Sequence, residues 1–537
     1  MKIIGILTPL KSSGLRMMLD ALGEVFGVRF EERTFEDAAG IDAWILPEAD
    51  REVHRRITHC DYPSYAIIRS DQRVPCGGSS TIEFSRNPML PSVLAGRRIK
   101  ADEAVNLMAL PQLLDNMEVL ASKGGAPIWA MQESVGRQHH YVAASIPELN
   151  EGEALFQHFH GNQFLSMLPL LIFLRALTGD HRWEQPPLQA CFMLDDPNLH
   201  WRTYGFVDFA EISAHAQTHR YHVSFATIPL DAWFVHKPTA LLFQKYRDQL
   251  SLLIHGNNHI AKELARPYMD EGISRNLSQA LSRIDEFERR YGVEVSKVMA
   301  PPHGACSGRA LSQMAHLGFE AACISSGSLR HYNEKAPWLR TLGMKPSDIV
   351  EGLVVFPRFR ISTTCHNSIL IAALLDHPII PVGHHYDIAE GLQLFADLSG
   401  FINSLGTVHW ADMKGISRSH YARRLEGNVL RVRMFTRRME VCIPEGINQI
   451  LVERPSWQQA ESMPLAWKCM SDGSEWKAQL SDEPIPVLSG KKIEIASEPP
   501  AVPPFDAKNI KNFHLWPVVR RQFTEARDRL APVLRRF

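Results

Sequence analysis

The hydrophobic and polar positions of this chain change their period along its length, and the change divides the chain into segments. Between about residues 188 and 425, short apolar runs alternate with segments whose apolar residues recur every three to four positions. The first pattern is typical of buried strands and the second of amphipathic helices. The clearest helix is predicted over Asn276–Arg290, where Leu277, Leu281 and Ile284 share one face.

Strands that alternate regularly with helices predict a parallel sheet, and about eight such units predict a (β/α) barrel. The eight predicted strands, in chain order, are Ala190–Leu194, Val223–Thr227, Leu252–Ile254, Lys297–Met299, Ala321–Ile324, Leu353–Phe356, Ile379–Val382 and Thr407–Trp410.

The segments on either side of this barrel have other patterns. Lys2–Leu7 is a predicted strand and Arg16–Phe26 a predicted helix, which indicates an α/β domain at the N-terminus. After about residue 430 short alternating runs separated by turn residues predict a small antiparallel β domain. The predicted division is an α/β domain, a helical connector, the barrel, a β-rich domain, and a proline-rich linker with a helical tail, over residues 1–150, 151–187, 188–425, 426–498 and 499–537.

Composition narrows the function classes. The net charge of −1 gives no long-range attraction for nucleic acid, so no nucleic-acid partner is expected. The eight cysteines are scattered without a C-x-x-C pair, and the N-terminus lacks the features of a signal peptide, which favours a cytoplasmic protein. The longest apolar run, Phe164–Leu174, is too short to span a bilayer. The arginines of the tail alternate with Glu525 and Asp528, which favours a solvated helix face over a nucleic-acid or lipid site.

Candidate chemistry lies directly after four of the predicted strands. In a (β/α) barrel the loops after the strands share one rim, so side chains on these loops are expected to converge. Two adjacent carboxylates follow the first strand, two histidines four positions apart follow the third, a Pro-Pro-His run follows the fourth, and a histidine pair follows the seventh. These residues are Asp195, Asp196, His255, His259, Pro301, Pro302, His303, His384 and His385.

The residue types suit a hydrolytic metal centre. A catalytic divalent metal needs three protein ligands and one open position, which two histidines and one carboxylate supply. The second carboxylate is then available as a base, and a histidine across the rim as an acid. Water on such a metal ionises near neutral pH and becomes a nucleophile. A mixed oxygen and nitrogen ligand set of this kind predicts zinc.

At these positions the sequence resembles the NodB-type polysaccharide deacetylases, carbohydrate esterase family four. The T-F-D-D-G motif of that family corresponds to F-M-L-D-D at Phe192–Asp196, and its H-[ST]-x-x-H motif to H-G-N-N-H at His255–His259. The R-P-P-x-G motif corresponds to A-P-P-H-G at Ala300–Gly304, and the strand before the catalytic histidine to Ile379–Val382. The resemblance covers under half of the chain, with all four motifs in the family's order.

The resemblance implies a role for each matching residue. Asp195 would be the general base, and His384 the general acid, with His385 as a less favoured candidate. Asp196, His255 and His259 would hold the metal. Substrate would meet Pro302 and His303, with a backbone N–H near His303 as an oxyanion donor.

Four departures from the family pattern accompany these matches. Ala300 replaces the arginine that orients the base, and Arg358 or Arg360, after the sixth strand, is expected to substitute for it, with Arg358 assigned to the substrate site. Pro197 and Gly256 replace a glycine and a hydroxyl residue, and the late D-x-x-D-W motif is absent from the sequence.

The predicted function is removal of an N-acetyl group from a saccharide or saccharide precursor by a metal-dependent hydrolase. Two alternatives stay open at this point. One is hydrolysis of another non-peptide C–N bond by the same fold. The other, suggested by Ala300, is a catalytically decayed barrel that acts as a carbohydrate-binding or scaffold protein.

Overall fold

The structure is a computed structural model. It describes residues 1–7, 10, 12–50, 52–53, 56, 61–111, 117–134, 136–179, 182–453, 464–469, 475–479, 483–497 and 515–534. The proline-rich linker predicted from residue 499 and residues 535–537 of the tail lie outside the described residues.

The N-terminal part is built on a nine-stranded sheet. Five of its strands are parallel and the rest add to one side as an antiparallel meander. In spatial order the strands are Val28–Arg33, Lys2–Leu7, Ala43–Ala49, Ser64–Ile68, Arg137–Val142, Ala126–Ser134, Glu118–Lys123, Thr81–Phe84 and Arg98–Lys100.

The helix Ser13–Phe26 packs against this sheet. The Ser12 hydroxyl caps it by accepting hydrogen bonds from the first backbone N–H groups, and Gly27 ends it in the left-handed conformation. The connector that follows contains a second helix, Leu168–Thr178, whose first seven residues are all buried.

The central part holds the predicted parallel sheet. Eight of its nine strands are parallel, and the antiparallel strand Asp348–Val350 forms one edge. In spatial order the strands are Asp348–Val350, Leu353–Phe356, Ala321–Cys323, Val295–Met299, Leu250–Ile254, Val223–Thr227, Phe192–Asp195, Pro381–Gly383 and Phe359–Arg360. The sheet curls as a barrel does, but its two edge strands do not pair with each other in the described part of the chain.

The prediction for the eighth barrel strand was wrong. Val408–Trp410 does not join the central sheet, and pairs instead with Leu188–Ala190 in a separate two-stranded ladder. The reason is that the first predicted strand divides at Cys191. The residues before Cys191 pair with Val408–Trp410, and only Phe192–Asp195 belongs to the central sheet. Phe359–Arg360 takes the free edge.

Helices cover the curled sheet. The predicted helix Asn276–Arg290 lies within a longer helix that buries Ile273, Leu277, Ile284 and Phe287. The helices of this part are Phe209–His219, Lys237–Lys245, Asp270–Tyr291, Gly308–His316, Ser326–His331, His366–Leu374, Gln393–Asn403 and Met413–Ser419.

The C-terminal β-rich part consists of two four-stranded sheets, with strands Tyr421–Glu426, Val429–Met434, Gln449–Glu453 and Ile485–Pro486 in one and Arg438–Cys442, Lys492–Ser497, Pro464–Cys469 and Glu475–Gln479 in the other. It is not wholly antiparallel as predicted, since Val429–Met434 pairs with Gln449–Glu453 in parallel. A last helix, Leu515–Leu534, packs against the central part. Among the described helices, none combines the length and apolar character needed to cross a membrane.

Candidate metal centre

Asp196, His255 and His259 bring one ligand atom each to a common point, with all three atoms within 4.8 Å of one another. Asp196 Oδ1 lies 3.0 Å from His259 Nε2 and 3.3 Å from His255 Nε2. This oxygen is buried, yet no group of the described residues reaches it with hydrogen-bond geometry. A buried carboxylate oxygen without a donor is costly unless a cation neutralises it, so this donor set fits a divalent metal.

The backbone around the centre is held in an uncommon conformation. Asp196, His259 and His303 have positive φ angles of 84°, 53° and 58°, a region that non-glycine residues rarely adopt. Each such residue costs of the order of 1–3 kcal/mol, which surrounding contacts must offset. The cluster of such residues at the rim indicates that the loops are shaped to present these side chains.

His255 is fixed by a hydrogen bond on the far side of its ring. Its Nδ1 lies 2.7 Å from the carbonyl oxygen of Ala300, so Nδ1–H donates there and Nε2 is left with a lone pair directed at the metal position. The contact uses only the backbone of Ala300. The side chain at position 300 therefore has no part in orienting His255.

Glu263 organises the loop that carries both histidines. This buried carboxylate accepts hydrogen bonds from the backbone N–H groups of Asn257, Asn258 and His259 at 2.9, 2.9 and 3.1 Å. Three converging N–H donors stabilise a carboxylate strongly, and here the carboxylate in turn fixes the turn that presents His259.

The geometry of the same loop explains why residue 256 is a glycine. Its φ is +64°, and a Cβ atom there would lie 2.5 Å from Glu263 Oε2 and 2.6 Å from Pro302 Cγ. The hydroxyl residue of the family pattern has no room in this loop.

Asp195 is paired with an arginine from another loop. Arg358 Nη1 donates to Asp195 Oδ1 at 2.9 Å, and Arg358 and Asp195 are 7% and 4% exposed. Arg358 Nη2 also lies 3.5 Å from the Pro301 carbonyl oxygen. Arg358 therefore occupies the position expected for a substitute arginine, buried behind Asp195, while Arg360 is solvent-exposed and lies 3.6 Å from Asp387.

The structure separates the two histidines after the seventh strand. The His384 side chain is 54% exposed, and its Nε2 lies 3.9 Å from Asp196 Oδ2. His385 is buried, with its Nε2 3.7 Å from Asp528 Oδ1 and its ring against Gly205. Only His384 faces the metal position.

The residues assigned to substrate contact differ in exposure. His303 is exposed, with its ring centroid 5.3 Å from that of His259, and its backbone N–H has no acceptor among the described residues. Pro302 is buried under Gly256, and Arg358 is buried behind Asp195. Of the three, His303 alone is open to a ligand at the rim.

Opposite charges shift the pKa values at the centre. Burial alone would raise the pKa of Asp196, but the two adjacent imidazoles outweigh burial and hold that pKa well below its usual range. Burial alone would lower the pKa of His255, but the charges of Asp195 and Asp196 outweigh burial and raise it. Asp196 and the neighbouring imidazoles therefore stabilise opposite charges on each other.

The C-terminal helix lies over the rim and is joined to it by buried charges. Arg521 Nη2 donates to the Asp196 carbonyl oxygen at 2.9 Å, and its Nε donates to Asp231 Oδ2 at 2.8 Å. Glu525 lies 3.1 Å from His200 Nδ1. These helix residues are 3–5% exposed, so the predicted solvated face was wrong.

Sequence reasoning missed Glu263, Asp231 and Arg521. Glu263 carried a weak signal, because it follows His259 by four positions and is an acid beside a predicted ligand. Arg521 and Asp231 carried none, since they are 290 positions apart and nothing local relates them.

Comparison with known proteins gives no sequence-level relative: no protein-family model matches the chain, and neither does any curated protein. Among solved structures, the chain is similar to the carbohydrate deacetylase Agd3, with a TM-score of 0.48 and 10% identity over 93% of this chain and 98% of that one. It is also similar to a family 4 carbohydrate esterase from Streptomyces lividans, with a TM-score of 0.27 and 11% identity over 42% of this chain and 94% of that one. The chain is similar as well to a carbohydrate esterase of that family from Streptococcus mutans, with a TM-score of 0.26 and 14% identity over 43% of this chain and 87% of that one.

Proposed function

We propose that this protein is a metal-dependent hydrolase that removes an acetyl group from the nitrogen of a saccharide or saccharide precursor. The observation that carries the proposal is the convergence of Asp196, His255 and His259 on one point, beside an independent carboxylate, Asp195, that has its own arginine. A ligand set with a separate, oriented base is what hydrolysis by activated water requires.

Zinc is the metal that this donor set fits best, because it combines one carboxylate with two imidazoles and leaves a position open. When bound, the metal would supply Lewis acidity toward the acetamide carbonyl and toward water. Asp196, His255 and His259 would hold it, and the Ala300 carbonyl would keep His255 in the tautomer that leaves Nε2 free.

The remaining residues divide the proton transfers. Asp195 takes a proton from the attacking water, and Arg358 keeps this carboxylate aimed at the centre. His384, which is exposed and has its Nε2 3.9 Å from Asp196 Oδ2, gives a proton to the leaving amine. The backbone N–H of His303, which has no acceptor among the described residues, donates to the developing oxyanion.

The contact between Arg358 and Asp195 bears on the scaffold alternative. Ala300 suggested a decayed site because an arginine was missing from the motif. Since Arg358 supplies a guanidinium to the base from another loop, the base retains its partner and the reason for expecting decay is removed.

The test is metal analysis combined with an acetate-release assay on a panel of N-acetylated sugars and sugar precursors. Wild-type protein reconstituted with zinc should bind about one equivalent and release acetate, whereas His255→Ala should lose both. His222→Ala is a matched control, because this buried histidine bonds to Ser251 away from the centre. Metal content near zero after reconstitution of the wild type would refute the proposal.

A further inference from the structure

A groove of about 800 Å³ adjoins the candidate metal centre. It lies between the loop that follows the third barrel strand, the helix Asp270–Tyr291 and the start of the C-terminal helix. Two aromatic side chains, Tyr268 and Trp516, contribute to its wall, and Trp516 is 70% exposed. A saccharide ring or a base can stack on an aromatic face presented in this way.

The wall of the groove is strongly cationic. Four arginines line it, Arg266, Arg275, Arg283 and Arg520, against a single carboxylate, Glu263. Glu263 is buried and accepts hydrogen bonds from three backbone N–H groups, and its charge also acts on Arg283. Four positive charges and one negative charge leave an excess of three.

These guanidinium groups have no carboxylate partner within ion-pair distance in the described part of the chain. Arg283 donates to the side chains of Asn257 and Asn258, and Arg266 donates to the Ala261 carbonyl. Arg275 is exposed and forms no hydrogen bond with a described residue. Surface arginines elsewhere on this protein are commonly paired with acids, as Arg289 is with Glu286. An unpaired set that lines one concave surface indicates an anionic ligand.

Two contacts relate the groove to the candidate metal centre, although the three candidate ligands themselves do not line it. Asn258, in its wall, directly precedes the ligand His259, and Arg520 donates to the His259 carbonyl oxygen. The groove therefore borders the loop that carries His259, on the side where a saccharide extending beyond the metal position would meet it.

We propose that the groove binds an anionic group, a carboxylate or a phosphate, that the saccharide carries beside its acetylated residue. This inference rests on the proposed function for the identity of the ligand as an acetylated saccharide. Guanidinium groups pair with both anions through two parallel N–H···O bonds, so the shared chemistry is an oxyanion and the experiment distinguishes its two sources.

The test is calorimetric titration, which requires no turnover. Three probes are used: tetragalacturonate for the carboxylate, its methyl ester as a neutral compound of the same shape, and UDP-N-acetylglucosamine for the phosphate. At least one anionic probe should bind ten-fold or more tightly than the neutral ester, with an affinity that falls as salt is raised. The probe that binds identifies the source of the oxyanion. Equal affinity for all three probes, or binding by none, would overturn the proposal.

Charge reversal at Arg275 localises the site. Because the exposed Arg275 side chain makes no hydrogen bond or ion pair with the described residues, Arg275→Glu should retain the wild-type unfolding midpoint and lose at least ten-fold in affinity for the anionic probe. Arg289→Glu, on the same helix but outside the groove, should bind as the wild type does. If the two variants bind alike, the groove is not the site. The wild type could bind the anionic probe and Arg275→Glu lose that binding, while no acetate is released from any substrate. That outcome would reject the proposed function and leave the groove assignment standing.

Discussion

Arg358 reaches Asp195 across 163 positions of sequence and holds its Oδ1 at 2.9 Å, with both side chains almost fully buried. Removing one partner of a buried ion pair leaves an uncompensated charge, which costs about 3–5 kcal/mol. Arg358→Met should therefore lower the free energy of unfolding by that order and reduce turnover about a hundred-fold while metal content is retained. Arg360→Met, at an exposed position two residues away, should change neither the free energy of unfolding nor the turnover. Urea unfolding, acetate release and metal analysis measure the three quantities. Unaltered turnover in Arg358→Met would remove Arg358 from the mechanism.

The two adjacent aspartates should fail in different ways. Asp195→Asn keeps the shape of the side chain but cannot accept a proton, so it should retain the metal and lose about a hundred- to ten-thousand-fold in rate. Asp196→Asn should weaken metal binding itself, because a neutral amide is a poorer ligand for a divalent cation. Metal titration beside the acetate assay distinguishes the two outcomes. If both variants lose metal equally, Asp195 is a ligand and not a base.

Gly256 should tolerate no side chain. Gly256→Ala combines a strained φ with a Cβ placed 2.5 Å from Glu263 Oε2, and should lose about 1–3 kcal/mol from overpacking beyond the cost of the backbone strain. Gly427 has a similar φ of +60° but open space around it, so Gly427→Ala isolates the strain alone. Zinc affinity should fall in the first variant only, because the displaced loop carries His255 and His259. Equal losses of stability in the two variants would contradict the close packing at Gly256.

Asp348 should make stability depend on pH. Burial raises the pKa of this carboxyl to about 6 from its ordinary value of 3.8, against the charge of Lys345 and the Gly343 N–H. The unfolded chain then ionises first, so stability should fall as pH rises from about 4 to 6 and remain lower above that. Asp348→Asn should gain stability relative to the wild type over this window, by up to roughly 3 kcal/mol. Thermal unfolding at a series of pH values measures the difference, with the exposed Asp285→Asn as control. If the difference in stability between the wild type and Asp348→Asn did not depend on pH, burial would not raise the pKa of Asp348.

Glu525 should hold the C-terminal helix on the rim. Burial opposes its ionisation, but His200 and Arg529 outweigh burial and lower its pKa to about 2. A lowered pKa contributes stability that is present above about pH 4.5 and is lost as pH falls toward 2. At pH 7, Glu525→Ala should speed amide hydrogen exchange over residues 515–534 by about ten- to a hundred-fold, since hydrogen bonds to charged groups contribute about 1.5–3 kcal/mol. The exposed Gln522→Ala should leave exchange unchanged. Exchange that is equal in both variants would show that the helix is held by other contacts.

The arrangement of the rim was predictable from sequence because it depends on local patterns. Strand periodicity locates Phe192–Asp195 and Leu250–Ile254, and parallel strands bring the residues after them to the same edge. This is why Asp196 and His259 could be expected near each other although 63 positions separate them.

The rest depends on contacts that no local pattern encodes. Arg358 and Arg360 both follow the same strand, and only the packed interior determines which of them turns inward. Thr407–Trp410 has the composition of a barrel strand, but pairing with Leu188–Ala190 takes it out of the central sheet. In the tail, Arg521 and Glu525 have the i, i+4 spacing that is typical of solvated helices, and their burial follows from partners elsewhere in the chain, Asp231 and His200.

The contact between Arg521 and the Asp196 carbonyl has a consequence for how the protein is made. Arg521 is translated 325 residues after Asp196. At ordinary ribosomal rates of about 5–20 residues per second, roughly 15 to 65 seconds pass between the two. The last part of this interval, about 7 to 27 seconds after His384 has been made, leaves the rim residues complete while the position of the helix is still open to solvent. Under the proposed function, the metal can therefore bind before this helix docks over the centre.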